Sequence, residues 1–291
     1  MIRSILAVLM LMLGSACTQL PKVELQAYSE AFAASRTAAE PLLESYTVRE
    51  REETVKALRA SGTFKTTGFY DEFEPQQAAL VSSLSLPPGA EASRRAFDAI
   101  ARYNDTLVAL AGNRNIDEAQ AQVKQITADL DAVKSNLPFI GNIPGVDQLG
   151  TAASTLLNLF QPIIQEDNRE QFKNVVVAGY PAIKELIAAL RDLTKNQYSL
   201  ITKPLRDQWD VANGDAQAQA KIAEQINGWH TVFADYVVML NIMDQRLNDL
   251  QEAVNNPKKE PLLARAVAGA ADVRAYSDIL RRSIAALHTP K

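Results

Sequence analysis

Residues 222–254 read IAEQINGWHTVFADYVVMLNIMDQRLNDLQEAV. Within them Ile222, Ile226, Trp229, Phe233, Tyr236, Leu240, Met243, Leu247, Leu250 and Val254 recur at spacings of four, three, four, three, an unbroken heptad seam over more than four heptads. Only a helix puts such a series on one face, because a strand repeats every second residue. Asp215, after Asn213-Gly214, is a start signal, and Asn255-Asn256-Pro257 is a stop. A helix over about 215–255 would be ~60 Å long.

The same spacing spreads outward from this segment. Upstream, Phe172, Val176, Ile183, Ile187, Leu190, Ile201, Leu205 and Trp209 form the apolar face of a helix over about 168–211, with kinks or breaks expected at Pro181 and Pro204. The Asn213-Gly214 connection is tight, so these two helices should pack antiparallel. Ile116, Ala119, Val123, Ile126, Leu130, Val133 and Leu137 form another seam, and Phe97, Ile100, Asn104, Leu107 and Ala111 one before it. Leu25, Tyr28, Phe32, Ser35, Ala39, Leu42 and Tyr46 follow the rule near the start, with Pro41 in their midst. Leu263, Ala266, Ala270, Val273, Leu280, Ile284 and Leu287 follow it at the end. Residues 61–89, with Gly62, Gly68, Pro75 and Pro87-Pro88, are the least helical, though 76–83 could form a short helix. No strand is expected. The fold class that follows is all-α: an elongated antiparallel helical bundle of six to eight helices with coiled-coil-like heptad seams.

The beginning of the chain has a different logic. Met1 to Ser4 carry one positive charge, Ile5 to Leu13 are unbroken apolar residues, Gly14-Ser15-Ala16 are small, and Cys17 is the only cysteine. Nine apolar residues make about 13 Å of helix, far less than a ~30 Å hydrocarbon core, so a cleaved signal fits better than a span. The segment Leu13-Gly14-Ser15-Ala16-Cys17 resembles the lipobox that ends the signal peptide of bacterial lipoproteins. That resemblance implies removal of residues 1–16, lipidation of Cys17 with palmitate-type chains, and a lipidated tether over 17–23. The seams make the remainder a single helical-bundle domain over 24–291. Gly14 stands where the class usually has Leu, and Gly14-x-Ala16 also suits ordinary signal peptidase, so plain secretion stays open. Thr18 rather than Asp after the cysteine points to the outer membrane, facing the periplasm. An exported protein keeping one unpaired thiol would carry a reactive group in an oxidising compartment, a liability that lipidation removes. Two or more acyl chains anchor a protein stably without a transmembrane helix.

Composition narrows the partners. Lys and Arg number 30 against 34 Asp and Glu, a net charge of −4, and loss of residues 1–16 would remove one arginine more. A general nucleic-acid face or a polybasic lipid-binding face is therefore disfavoured. No cofactor is expected. The two histidines, His230 and His288, are not part of a Glu-x-x-His pair, since Asn227 precedes His230 by three, and His230 reads as a structural residue beside the seam. No Gly-x-Ser-x-Gly elbow occurs, and Gly141-Asn142-Ile143-Pro144-Gly145 lacks the lysine and spacing of a phosphate loop. The run Arg49-Glu50-Arg51-Glu52-Glu53 reads as a solvated helix face with ion pairs three and four residues apart.

The segment with the most functional content is an apolar connection at about 137–164. Asp147 is the only charged residue between Ser135 and Gln165, whereas helix connections are normally polar. It can fold back and cap the bundle core. Alternatively Leu137, Phe139, Ile140, Ile143 and Val146 form a tip that touches membrane or a partner. Three functions follow as expectations. The first is a lipid-anchored envelope protein that binds or scaffolds without catalysis, its protein partner unspecified and a homo-oligomer possible through the seams. The second is a membrane-active protein resembling α-helical pore-forming toxins in plan. The third is an enzyme whose site is assembled in space.

Overall fold

The computed structural model describes residues 22–62, 66–67, 70–71, 75, 78–111, 116–140, 145–256 and 260–288. In chain order the elements are α1 (Lys22–Ala60), β1 (Thr66–Thr67), β2 (Tyr70–Asp71), α2 (Ala78–Val81), α3 (Pro88–Ala111), α4 (Ile116–Ile140) and α5 (Val146–Phe160). A 3-10 turn (Gln161–Ile163), α6 (Arg169–Ala178), α7 (Tyr180–Val211), α8 (Ala216–Asn255) and α9 (Glu260–His288) complete them. The protein is an all-α bundle. Its neighbour relations close a ring: α1 packs on α3, α3 on α4, α4 on α5, α5 on α7, α7 on α8, α8 on α9, and α9 back on α1. The short α6 lies among α3, α5, α7 and α8.

The helix ends follow their local chemistry. The Asp215 side chain accepts hydrogen bonds from the Gln217 and Ala218 N–H groups at the start of α8, and Asn168 accepts from Glu170 and Gln171 at the start of α6. Each satisfies donors that the first helical turn leaves unpaired. Gly214, at φ 96, makes the turn between α7 and α8.

Pro181 and Pro204 behave differently. A break occurs at Gly179, just ahead of Pro181, and separates α6 from α7. Helix α7 runs through Pro204 without a break. A proline withholds one backbone donor from the preceding turn. Close by, the Arg206 guanidinium donates to the Ser199 carbonyl at 2.7 Å and also reaches its hydroxyl.

The loop between α1 and α3 contains a two-residue antiparallel ladder, Thr66 with Asp71 and Thr67 with Tyr70, where no strand was expected. Four residues are too few to show a period. The short helix expected over 76–83 is present as α2.

One continuous core runs through the ring. Tyr28, Phe32, Phe97, Ile100, Tyr103, Leu107, Ile126, Phe160, Phe172 and Tyr236 are among its fully buried side chains. The decisive seam on α8 is buried from Phe233 to Val254, but Ile222, Ile226 and Trp229 are only half-buried. Helix α9, which covers the rest of α8, ends at His288, with Leu287 lying against Gly228. Past that point the described part of α9 no longer lies beside α8, while α1 still reaches α7 through the pair of Glu53 with Lys203.

Candidate functional site

The apolar connection folds back onto the bundle over its described part. Gly145, at φ 92, turns the chain into α5, and a Cβ there would stand 2.8 Å from the Ala189 carbonyl of α7. Val146, Leu149, Leu156, Leu157, Phe160 and Ile163 are buried. Leu137 is half-buried, its Cδ1 where a Cβ on Gly150 would come within 2.8 Å. Phe160 stacks on Tyr103 with centroids 6.4 Å apart and fills the space beside Gly179. The side chains of Phe139 and Ile140, all of Ile143, and Gly14 and Cys17 lie outside the described residues. Leu137 and Val146, the described members of the proposed tip, thus both pack against the body.

The charged run on α1 is not a simple solvated face. Arg49 and Glu52 do pair at 2.6 Å on the surface. Glu50 turns inward instead. Its carboxylate accepts the Gly89 N–H at 2.7 Å and the Ala90 N–H at 2.8 Å, at the start of α3. Arg51 donates to the Ser85 carbonyl at 2.7 Å, and Glu53 bridges Lys56 and Lys203 of α7. Burial raises the Glu50 carboxyl above its ordinary value, outweighing the hydrogen bonds from Gly89, Ala90 and Tyr46. Glu53 moves the other way, because Lys203 and Lys56 favour its charged form.

Two further charge clusters brace the ring. Asp129 of α4 is buried and held by Arg102 at 2.9 Å and Arg95 at 3.2 Å, both from α3. Desolvation still raises its carboxyl above the ordinary range. On α8, Asp249 pairs with Arg246 at 2.7 Å and Arg265 at 2.8 Å, while Arg265 also reaches Glu252 and Arg246 reaches Asp272.

The interior holds polar groups with no internal partner. Asn104 is fully buried, and neither amide atom has a hydrogen bond. The Tyr236 hydroxyl and the Gln197 Oε1 are in the same position, although Gln197 donates to Ser93 at 3.2 Å. The other buried tyrosines are engaged: Tyr28 donates to the Arg246 carbonyl, Tyr103 to the Val176 carbonyl and Tyr180 to Asp244. Burial raises all of these phenols, so they stay protonated.

Two adjoining grooves run along α1. One, about 380 Å³, is lined by Gln26, Ser29, Glu30, Asp105, Glu118 and Gln122. The other, about 270 Å³, shares Asp105 and adds Arg36, Asp98 and Arg102. Arg36 is bound to Asp98, and Ser29 donates to Asp105. His230 is exposed and meets the Tyr198 ring edge-on at 6.2 Å. Among the described residues no group of three or more His, Cys, Asp or Glu side chains is placed to hold a metal ion, and no helix is long and apolar enough to cross a membrane.

Glu50 and Asp129 carried no distinct signal in the sequence. Asn104 alone stood out faintly, as an amide on an otherwise apolar seam. Compared with known protein families, with curated proteins and with solved structures, the chain matches none.

Proposed function

We propose that this protein is a lipid-anchored cell-envelope protein that acts by binding, as a non-catalytic scaffold or adaptor held at the outer membrane and facing the periplasm. The observation that carries the reading is the order of residues 1–17: basic, apolar, small, then the single cysteine. Helix α1 begins at Lys22, so an acyl group on Cys17 would join the bundle through a short tether. The absence of a membrane-crossing helix among the described residues is compatible with a lipid as the attachment. The carboxylates of Glu50 and Asp129 join helices, which suits a rigid binding body.

The test is metabolic labelling with palmitate, combined with fractionation of a Cys17→Ser variant. Label at Cys17 and release of the variant into the soluble fraction support the reading. An unlabelled protein whose variant stays on the membrane sinks it.

The membrane-active reading asks more of the same fold. Residues 146–163 would have to leave the core that Leu149, Leu156 and Phe160 now help to build. It predicts leakage from liposomes, reduced when Phe139 and Ile140 are changed to Asp, and intact liposomes would remove it.

A further inference from the structure

The sequence contains the pair Asn-Gly twice, as Asn213-Gly214 and as Asn227-Gly228. This pair has a chemistry of its own. A glycine nitrogen, with no Cβ beside it, can attack the side-chain carbonyl carbon of the preceding asparagine and close a five-membered imide. Both asparagines are exposed, so access to water does not distinguish them. Their backbones do.

Asn213 and Gly214 lie between α7, which ends at Val211, and α8, which starts at Ala216. The turn is closed by a hydrogen bond from the Asp215 N–H to the Ala212 carbonyl at 2.9 Å. Among the described residues the Gly214 N–H has no backbone partner. Nothing lies within 4 Å of the place a Cβ on Gly214 would take. Asn227 and Gly228, by contrast, lie inside α8. There the Gly228 N–H is committed to the carbonyl four residues back. The Asn227 carbonyl accepts the Thr231 hydroxyl at 3.2 Å. Leu287 of α9 fills the space beside Gly228, its Cδ2 2.4 Å from where a Cβ would stand. Closing an imide at Asn227 would force its ψ away from the helical value and break the helix hydrogen bond of Gly228.

We propose that Asn213 is a self-modifying position, which converts in the folded protein to aspartate and isoaspartate through an imide formed with Gly214, while α8 keeps Asn227 inert. Base removes the Gly214 amide proton and the nitrogen bonds to Asn213 Cγ. The bond from Cγ to Nδ2 breaks, and Nδ2 takes up a proton and leaves as ammonia. Water then opens the imide. Cleavage of the new bond at Cγ leaves an aspartate in an unaltered main chain. Cleavage at the main-chain carbonyl leaves isoaspartate, with the chain running through Cγ. Either product adds one negative charge just ahead of the Asp215 cap. The isoaspartate branch also adds a methylene to the main chain, inside the turn that the Ala212–Asp215 bond closes. The inference does not depend on where the protein resides.

The test is to incubate the full chain in mildly alkaline buffer, folded and in urea. Both peptides are followed by mass spectrometry, with a fragmentation that separates aspartate from isoaspartate. In the folded chain position 213 should convert at least about tenfold faster than 227, because reaction at 227 waits on local opening of α8. In urea the two should convert at similar rates. Asn213→Gln, whose longer side chain would need a six-membered ring, should leave the turn peptide unmodified over the same period. The inference is overturned by no conversion at 213 in the folded chain, by conversion at 227 that keeps pace with it, or by a rate ratio that is the same in urea. Aspartate without isoaspartate at 213 would mean direct hydrolysis and would reject the imide.

Discussion

Arg246 of α8 lies across Gly269 of α9, so close that any Cβ at position 269 would collide with its Cδ. The missing side chain lets the guanidinium cross the helix junction and reach Asp272 at 3.0 Å while keeping Asp249 at 2.7 Å. Tyr28 of α1 donates to the backbone carbonyl of the same arginine, so three helices meet at this point. Gly269→Val should therefore force α8 and α9 apart or displace Arg246. The expected loss is about 1–3 kcal/mol in urea denaturation, the usual cost of overpacking. An unchanged midpoint would mean that the arginine moves aside freely.

Asn104 offers a test of opposite sign. Its amide is fully buried and unpaired. Removing both unsatisfied atoms in favour of a similar apolar volume should stabilise the fold, so Asn104→Leu is expected to gain roughly 1–2 kcal/mol. A loss would mean that the amide has a partner such as an ordered water. Near-UV circular dichroism would show whether the gain comes with looser packing, since a buried polar seam residue can set helix register.

Phe160 tests whether the apolar connection belongs to the core. It is fully buried, stacks on Tyr103 and sits against Gly179. Phe160→Ala should cost about 3–5 kcal/mol in urea denaturation. A cost below ~1 kcal/mol would indicate that α5 can detach at little expense.

Glu53 gives a pH-dependent prediction. Its carboxyl is lowered by hydrogen bonds from Lys203 and Lys56, so its ionised form favours the folded state. That contribution is present above the ordinary value of 4.5 and is lost as pH falls through the lowered one. Both partners are substantially exposed, so solvent screening keeps the effect small. Glu53→Gln should lower stability by ~0.5 kcal/mol at neutral pH, and the deficit should vanish as pH falls through the lowered value. A deficit that persists in acid would point to lost packing instead.

The helices were legible in the sequence because their cause is local. Spacing of three and four places apolar side chains on one stripe wherever the chain goes next, and Asp215 and Asn168 cap helix starts with their own side chains. Pro204 shows where local reasoning stops: it lies inside α7 without ending it, and Arg206 reaches back to the Ser199 carbonyl. The start of α8 shows the same boundary. Ile222 and Ile226 are seam residues like Leu240 and Leu247, yet they are only half-buried, lying beyond the point where Leu287 of α9 meets Gly228.

By itself the sequence determined an all-helical chain, its long segments and its seams, because these depend on neighbours within a few turns. Only the tertiary structure decided which polar residues face inward. Glu50 and Glu52 stand two apart in the same charged run, one clasping the first turn of α3 and the other in a surface pair with Arg49. Nothing in the run distinguishes them. The physical reason is that a carboxylate's role is set by the donors that distant segments bring to it, here the free N–H groups of a helix that begins almost forty residues later.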